Sequence, residues 1–250
     1  MKVFKSKGPK ELGKLAGENA AHSILNALSK KDTANIILAT GTSQFETLKT
    51  LLDHKDINWS KVTMFHLDEY LGISMNHPAS FRKYLKERFL DRAGKLKAYH
   101  FIDGEGNPDE VTEKLGEEIK KHPIDVALVG IGENGHLAFN DPPADFETEN
   151  PYIIVNLDDN CRRQQYAEGW FEHLDEVPRQ AISMSIHQIM QSKKIICSVP
   201  DKRKAKAVRD CLENAVSPLY PASILQQHQD CDLYLDEKAA SLLENKNSFN

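Results

Sequence analysis

Short apolar runs alternate with amphipathic segments along the chain. Such runs are typical of strands that are covered on both faces, as in a parallel sheet. They predict strands at 35–39, 61–67, 96–102, 124–129, 152–157, 181–186, 194–199 and 232–235.

Between these strands, apolar residues recur every three or four positions, which predicts helices. The predicted helices lie at 9–30, 45–52, 78–94, 108–121, 162–174, 201–212 and 237–243. No linker, repeat or low-complexity block interrupts the alternation of strands and helices. The pattern therefore predicts a single domain, 1–250, built on one doubly wound, mostly parallel sheet with helices on both faces, a Rossmann-like α/β fold.

Composition narrows the class of protein. The chain is 40% hydrophobic and 28% charged, with a net charge of −5, so we expect neither nucleic-acid nor anionic-membrane binding. An anionic ligand would need a local basic cluster. The four cysteines form no C-x-x-C pair, and residues 1–7 lead into no apolar core. These features predict a cytoplasmic protein without a secretory signal.

The stretch 124–145 combines a predicted buried strand with a glycine-rich turn. Gly130, Gly132 and Gly135 spell G-x-G-x-x-G after the strand, which is typical of a dinucleotide site if a helix starts at the third glycine. Pro142 and Pro143 follow within two turns, so at most one helical turn fits. We therefore interpret the loop as a catalytic surface and keep the dinucleotide site as a minor alternative.

Two other segments suggest an anion site. Residues 40–44 form a hydroxyl-rich turn between a strand and a helix, where backbone N–H groups and the helix dipole favour a phosphate. The simpler alternative is that Thr42 or Ser43 only caps the helix. Lys202, Arg203 and Lys204 start another helix, where basic residues oppose the dipole unless an anion lies beside them.

Acid–base residues follow further strands. Asp68 and Glu69 come after one predicted strand and His136 after another, and the carboxyl ends of parallel strands share one edge. Removal of a proton beside a carbonyl needs a carboxylate and a group that serves the carbonyl oxygen, roles that Asp68 and His136 can fill. The alternative is that these are solvated loop residues. His66 and Asp68 lack a third metal ligand at a recognisable spacing, so no metal site is predicted.

These segments resemble the glucosamine-6-phosphate deaminase/isomerase family across nearly the whole chain. The similarity rests on LATGTS at 38–43, FHLDEYLG at 65–72 with HPAS at 77–80, and GIGENGHLAFNDP at 130–142. The related 6-phosphogluconolactonases share a G-x-x-G-H-like loop but lack D-E-Y-x-G.

The resemblance implies a doubly wound α/β fold and an enzyme without cofactor or metal. Such an enzyme converts a hexosamine 6-phosphate, most simply glucosamine 6-phosphate, to a ketose 6-phosphate and ammonia. Asp68 corresponds to the base that moves the C2 proton and His136 to the catalyst of ring opening, with Asp141 and Asn134 in supporting catalytic positions. Substrate-binding positions correspond to Thr40, Gly41, Thr42, Ser43, Glu69, Gly135 and Lys204. A homo-oligomer is compatible with this family.

The chain departs from the family pattern in three places. Asp141 replaces the usual glutamate and is one methylene shorter. The segment 147–152 has no arginine, although many members bind an allosteric amino sugar there through basic residues. The phosphate-binding arginine expected near Ala167 is absent, and Arg162 and Arg163 lie earlier. The alternatives are a phosphosugar lactonase, a simple phosphosugar isomerase, and a sugar-phosphate sensor that has lost catalysis.

Overall fold

A computed structural model describes residues 1–244. The strands in this range are β1 (Lys2–Ser6), β2 (Ala34–Leu38), β3 (Val62–His66), β4 (Asp68–Tyr70), β5 (Ala98–His100), β6 (Val126–Val129), β7 (Tyr152–Asn156), β8 (Gln180–Met184), β9 (Lys194–Val199) and β10 (Cys231–Asp236). Seven of them form a parallel sheet in the order β1-β10-β9-β6-β2-β3-β5. The other three form a small antiparallel sheet in the order β4-β8-β7.

The helices follow the strands in the alternation that the sequence predicts. They are α1 (Pro9–Lys31), α2 (Phe45–Asp53), α3 (Phe81–Leu85), α4 (Asp91–Ala93), α5 (Pro108–Lys120), α6 (Asp159–Ala167), α7 (Ile186–Met190) and α8 (Ala205–Glu213), and a π-helical turn, Lys86–Leu90, joins α3 to α4. Short 3-10 turns precede α2 at Thr42–Gln44 and α8 at Lys202–Lys204. No helix in residues 1–244 is both long enough and apolar enough to cross a membrane.

Alternate residues of the central strands pack on opposite sides of the parallel sheet. Ile36 and Leu38 of β2 contact the layer that contains α1 and α2, whereas Ile37 contacts the layer that contains α5, α7 and α8. Because both layers are apolar, side chains on both faces of these strands are hydrophobic, and the strands are continuous hydrophobic runs in the sequence. The predicted doubly wound parallel sheet is confirmed.

Several details differ from the sequence-based predictions. The segments 152–157 and 181–186, which were assigned to the main sheet, belong instead to the small sheet. From Ile153 to Asn156 the residues of β7 alternate between partly buried and exposed, as in an antiparallel sheet with one face towards solvent. The lysine-containing edge strand β1 was not predicted. The helix predicted at 162–174 ends at Ala167, since Gly169 turns the chain with a φ of 81°. Residues 237–242 form turns rather than a helix.

The strand order creates a crevice between β2 and β6. From β2 the chain proceeds to β3 and β5 on one side, while β6, β9 and β10 lie on the other. Loops that leave the carboxyl ends of β2 and β6 therefore diverge, which is where ligands bind in open α/β sheets.

Candidate active site

A cavity of about 250 Å³ lies over this crevice. Its walls come from the loops after β2, β3, β6 and β9, and α6 covers one side. The cavity brings together seven of the residues predicted from the sequence: Thr40, Gly41, Thr42, Ser43, Asp68, His136 and Lys204. The other four, Glu69, Asn134, Gly135 and Asp141, do not line it.

Asp68 begins β4 immediately after the main-sheet strand β3. It is only 6% exposed, and within residues 1–244 its Oδ1 atom has no hydrogen-bond partner. Burial, reinforced by the negative charge of Glu69, raises the pKa of Asp68 to about 8. A carboxylate that is desolvated, has an oxygen without a protein partner and faces a cavity is suited to remove a proton from a bound ligand.

His136 contacts Asp141 within the same loop. The Nδ1 atom of His136 lies 3.1 Å from Oδ1 of Asp141 and must donate, because a carboxylate can only accept. Oδ1 also accepts from the Asn134 amide at 2.9 Å, and Oδ2 accepts the Asp158 N–H at 3.0 Å. Burial alone would raise the pKa of Asp141, but these donors, led by His136, outweigh it and lower the pKa below its usual value.

Backbone packing fixes the imidazole ring on its other face. A Cβ atom added to Gly132 would lie 2.2 Å from Nε2 of His136, so the ring rests directly on this glycine. Asn140 anchors the same loop by donating to the carbonyls of Leu137 and Met184, each at 2.8 Å. The chain from 130 to 151 contains no helix. The middle glycine of G-x-G-x-x-G therefore accommodates a histidine rather than a pyrophosphate, and the dinucleotide alternative is not supported.

The cavity also has basic residues in its wall, Lys204 and Arg203. Lys204 is 6% exposed, and burial lowers its pKa below the usual value. In residues 1–244 the salt bridges of its turn are made by Arg203, to Glu133 and Asp201, and none by Lys204. A buried ammonium group with no acidic partner is costly unless a ligand supplies the anion.

The turn after β2 lines the same cavity as Lys204. Gly41 has a φ of 90°, and Thr42–Gln44 begins a helical turn that continues into α2. The Tyr84 hydroxyl donates to the Gly41 carbonyl at 3.0 Å and holds the turn in place. Backbone N–H groups at a helix start, three hydroxyl residues and one buried lysine together favour a phosphate.

Helix α6 contributes a wall that the sequence did not predict. Gln164, Gln165 and Glu168 line the cavity, and Glu168 accepts hydrogen bonds from Gln164 at 3.0 Å and from Trp170 at 3.3 Å. A signal was present in the sequence, since polar residues four positions apart share one face of a helix. A glutamine can have many roles in a protein, however, and the spacing of these residues did not indicate a ligand.

The arginine expected near Ala167 is not supplied by α6. Arg162 is buried and donates to the carbonyls of Leu174 and Val177, so its role is structural. Arg163 lies on a neighbouring groove between α6 and α8. Arg203, which follows β9, lines the cavity beside Lys204 instead.

Three other predicted residues lie outside the cavity. Glu69 is completely buried on the opposite side of β4 and accepts hydrogen bonds from α3, which differs from the substrate contact that the resemblance implied. Asn134 and Gly135 line the neighbouring groove. Asn134 supports Asp141, and the Gly135 carbonyl accepts the Ala222 N–H at 2.9 Å.

A thiol lies next to the His136–Asp141 pair. Potential ligand atoms of His136, Asp141 and Cys161 all lie within 4.8 Å of one another. The Nδ1 atom already bonds to Asp141, and burial raises the pKa of Cys161 well above its usual value, which disfavours the thiolate that binds metals. The arrangement suits a hydrogen-bonded cluster, and the absence of a catalytic metal stays a prediction.

Comparison with known proteins places the chain in a family. Residues 7–234 match the model of the glucosamine-6-phosphate isomerases/6-phosphogluconolactonase family. The chain belongs to this family. The resemblance seen in the sequence motifs is therefore confirmed.

Relatives within the family are mostly similar over their full length. Glucosamine-6-phosphate deaminase 1 of Bacillus subtilis is 32% identical over 251 residues, which cover 97% of this chain and 99% of the relative. The glucosamine-6-phosphate deaminase of Exiguobacterium sibiricum is 35% identical over 209 residues, which cover 84% of this chain and 81% of the relative.

Solved structures show the same fold. A monomeric glucosamine-6-phosphate deaminase superposes with a TM-score of 0.88 at 31% identity. The match covers 97% of this chain and 100% of the deaminase chain. The 6-phosphogluconolactonase of Thermotoga maritima gives a TM-score of 0.74 at 16% identity, covering 94% and 98%. The second similarity concerns the fold alone.

Proposed function

We propose that this protein is an amino-sugar-phosphate deaminase/isomerase. It converts a hexosamine 6-phosphate, with glucosamine 6-phosphate as the first candidate, to the ketose 6-phosphate and ammonia. The observation that carries this proposal is one cavity with three groups in its wall: Asp68, His136 and Lys204. Within residues 1–244, Oδ1 of Asp68 has no hydrogen-bond partner, His136 is supported by Asp141, and the buried Lys204 forms no salt bridge. The deaminases among the relatives support the choice of reaction.

Ring opening is the first step. His136 moves a proton between the C1 hydroxyl and the ring oxygen, so that the C1–O5 bond breaks and an aldehyde forms. Asp141 keeps a proton on Nδ1 of His136, which leaves Nε2 as the atom that exchanges a proton with the sugar.

Asp68 then carries out the isomerisation. It takes the proton from C2, the electron pair of that bond forms the C1–C2 double bond, and the aldehyde oxygen is protonated. Return of the proton to C1 leaves an imine at C2. Water adds to C2 and ammonia departs, so one water is consumed for each ammonia released. A base with a pKa of about 8 is matched to this two-way transfer near neutral pH.

The phosphate supplies binding and orientation rather than chemistry. Lys204 and the hydroxyl turn at 40–43 hold the phosphate, which the sugar carries at C6, away from the reacting C1 and C2. Binding energy from such a remote group positions the reacting carbons. We also propose a cytoplasmic location, because the four cysteines are free and buried, as is usual in a reducing compartment.

The test is a panel of hexosamine 6-phosphates assayed in parallel for ammonia and for ketose 6-phosphate. The proposal predicts equal amounts of both products from at least one amino sugar. 6-Phosphogluconolactone and phosphosugars without an amine serve as controls. Lactone hydrolysis or aldose–ketose conversion without ammonia would favour the alternative enzymes, and binding without turnover would favour a sensor.

A further inference from the structure

Glu69 is the most densely hydrogen-bonded carboxylate next to the proposed base. It is fully buried and accepts from the N–H groups of Tyr70 at 3.0 Å, Phe81 at 3.2 Å and Arg82 at 2.8 Å. The Ser80 hydroxyl donates to it at 3.0 Å. Phe81 and Arg82 are the first residues of α3, so the carboxylate caps the start of this helix.

Arg82 ties this carboxylate to the protein surface. Its Nε atom lies 3.4 Å from Oε2 of Glu69, while its other nitrogens contact Asp103 at 2.9 Å and Glu105 at 3.0 Å. Asp103 and Glu105 are about half exposed, whereas Arg82 is buried. The guanidinium therefore joins β4 to the loop 103–105, and we call Glu69, Ser80 and Arg82 the clamp.

Asp68 and Glu69 have opposite surroundings although they are neighbours on one strand. Successive side chains of a strand point to opposite faces, so clamping Glu69 directs Asp68 towards the cavity. Glu69 accepts four hydrogen bonds and forms an ion pair with Arg82, whereas Oδ1 of Asp68 has no hydrogen-bond partner among the described residues. Burial raises the pKa of Glu69, and the hydrogen bonds from Arg82, Phe81, Ser80 and Tyr70 oppose that rise by stabilising its negative charge.

Resting on the proposed function, we propose that Glu69 is a positioning residue for the reaction: its clamped carboxylate fixes the place of Asp68 and its charge strengthens Asp68 as a base. Glu69 does not touch the substrate. The resemblance implied that Glu69 contacts the substrate. In this proposal Glu69 acts instead through its neighbour Asp68.

Other groups near Asp68 are weaker candidates for this role. On β3, burial and then the charge of Arg82 lower the pKa of His66 to about 3, so it is neutral. On β7 and α6, burial raises the pKa values of Tyr152 and Cys161, which are also neutral. Tyr70 of β4 is neutral for the same reason. Arg82 lies beyond Glu69 and opposes its effect in part.

The first test reads the titration of Asp68 without any substrate. Carbon-13 NMR of labelled aspartates, with the Asp68 signal assigned by its loss in Asp68→Asn, should show a midpoint near 8 in the parent. Glu69→Gln keeps an acceptor but loses the charge, so the midpoint should fall by about one unit or more. An unchanged midpoint in the folded variant would mean that Glu69 is only a helix cap.

Kinetics connect this effect to the reaction. The acid limb of kcat/KM should move to lower pH in Glu69→Gln by the same amount as the NMR midpoint. Asp103→Asn and Glu105→Gln, which alter only the exposed partners of Arg82, should leave the limb in place and are the matched controls. If the parent releases no ammonia, the proposed function fails, and the NMR result still decides the role of Glu69.

A milder variant covers the case in which Glu69→Gln does not fold. Ser80→Ala removes one donor to Glu69 and keeps both acids. It should lower kcat by about threefold or more while KM stays within about twofold, and Ser80→Thr should restore kcat. Loss of thermal stability with unchanged kcat would overturn the proposal, since a purely structural clamp affects stability alone.

Discussion

His136 donates from Nδ1 to Oδ1 of Asp141 at 3.1 Å, although the family resemblance implied a glutamate, which is one methylene longer, at this position. The shorter side chain reaches because Asn134 and the backbone N–H of Asp158 hold both of its oxygens. The departure seen in the sequence therefore does not break the pair.

This pairing predicts the effect of changing Asp141. Asp141→Asn should lower kcat by roughly 10²-fold or more, because a neutral amide no longer fixes the Nδ1–H tautomer. Asp141→Glu should remain active. Steady-state kinetics and thermal melts check both variants. Full activity of Asp141→Asn at every pH would show that another group orients His136.

Asp68→Asn should leave the fold intact and reduce turnover by at least about a hundredfold, the usual scale for a positioned acid or base. The reason is that the amide cannot accept the C2 proton. Exchange of the C2 proton with deuterated water, followed by NMR, should disappear together with ammonia release. A folded variant with near-normal exchange would remove Asp68 from the mechanism.

The pKa of Asp68 also predicts how activity and stability depend on pH. Its value rises from 3.8 to about 8 on folding, so kcat/KM should increase through pH 8 as the base loses its proton. The folded state holds this proton more tightly than the unfolded state. The contribution of the bound proton to stability is therefore complete below pH 3.8 and is lost between pH 3.8 and about pH 8. Urea unfolding should show that the free energy of unfolding declines as the pH rises through this window, and that the decline is smaller in Asp68→Asn. An identical decline in the variant would contradict the raised pKa.

Lys204→Ala should raise KM by about tenfold or more and change kcat less, because the phosphate lies remote from C2. The exposed Lys202 on the same turn provides the control, since Lys202→Ala should leave KM unchanged. Kinetics with the phosphorylated sugar give the answer. An unaltered KM in Lys204→Ala would mean that the phosphate binds elsewhere.

Gly132→Ala should impair catalysis without preventing phosphate binding. Its Cβ would lie 2.2 Å from Nε2 of His136, so the ring would have to leave its position. We expect kcat to fall by about 10²-fold or more, as for loss of a positioned acid–base group. Gly130→Ala is the milder comparison, because its nearest contact is Ser43 Oγ at 3.2 Å. Equal kcat values in the two variants would argue against this packing.

Local sequence determined the parallel sheet and most of the site. Buried strands such as β2 and β6 are continuous apolar runs, and the polar loops that follow them contain Thr40–Ser43 and His136. Parallel strands place the loops after their carboxyl ends at one edge, so these residues could be brought together without coordinates. The mismatch between basic charge and helix dipole indicated an anion near Lys202–Lys204, and the family resemblance singled out Lys204.

Tertiary structure alone decided which neighbouring residues face the cavity. Asp68 and Glu69 are adjacent on a strand, so their side chains point to opposite faces, and the sequence does not say which of the two faces the cavity. The pairing of β4 with β8 and the contacts of Glu69 with α3 direct Asp68 into the cavity. The same holds for Gln164 and Glu168, because an amphipathic helix does not specify what its polar face covers. Strand pairing and helix docking depend on contacts between residues that are distant in the sequence and on burial of the whole core. The local spacing of residues therefore does not predict them.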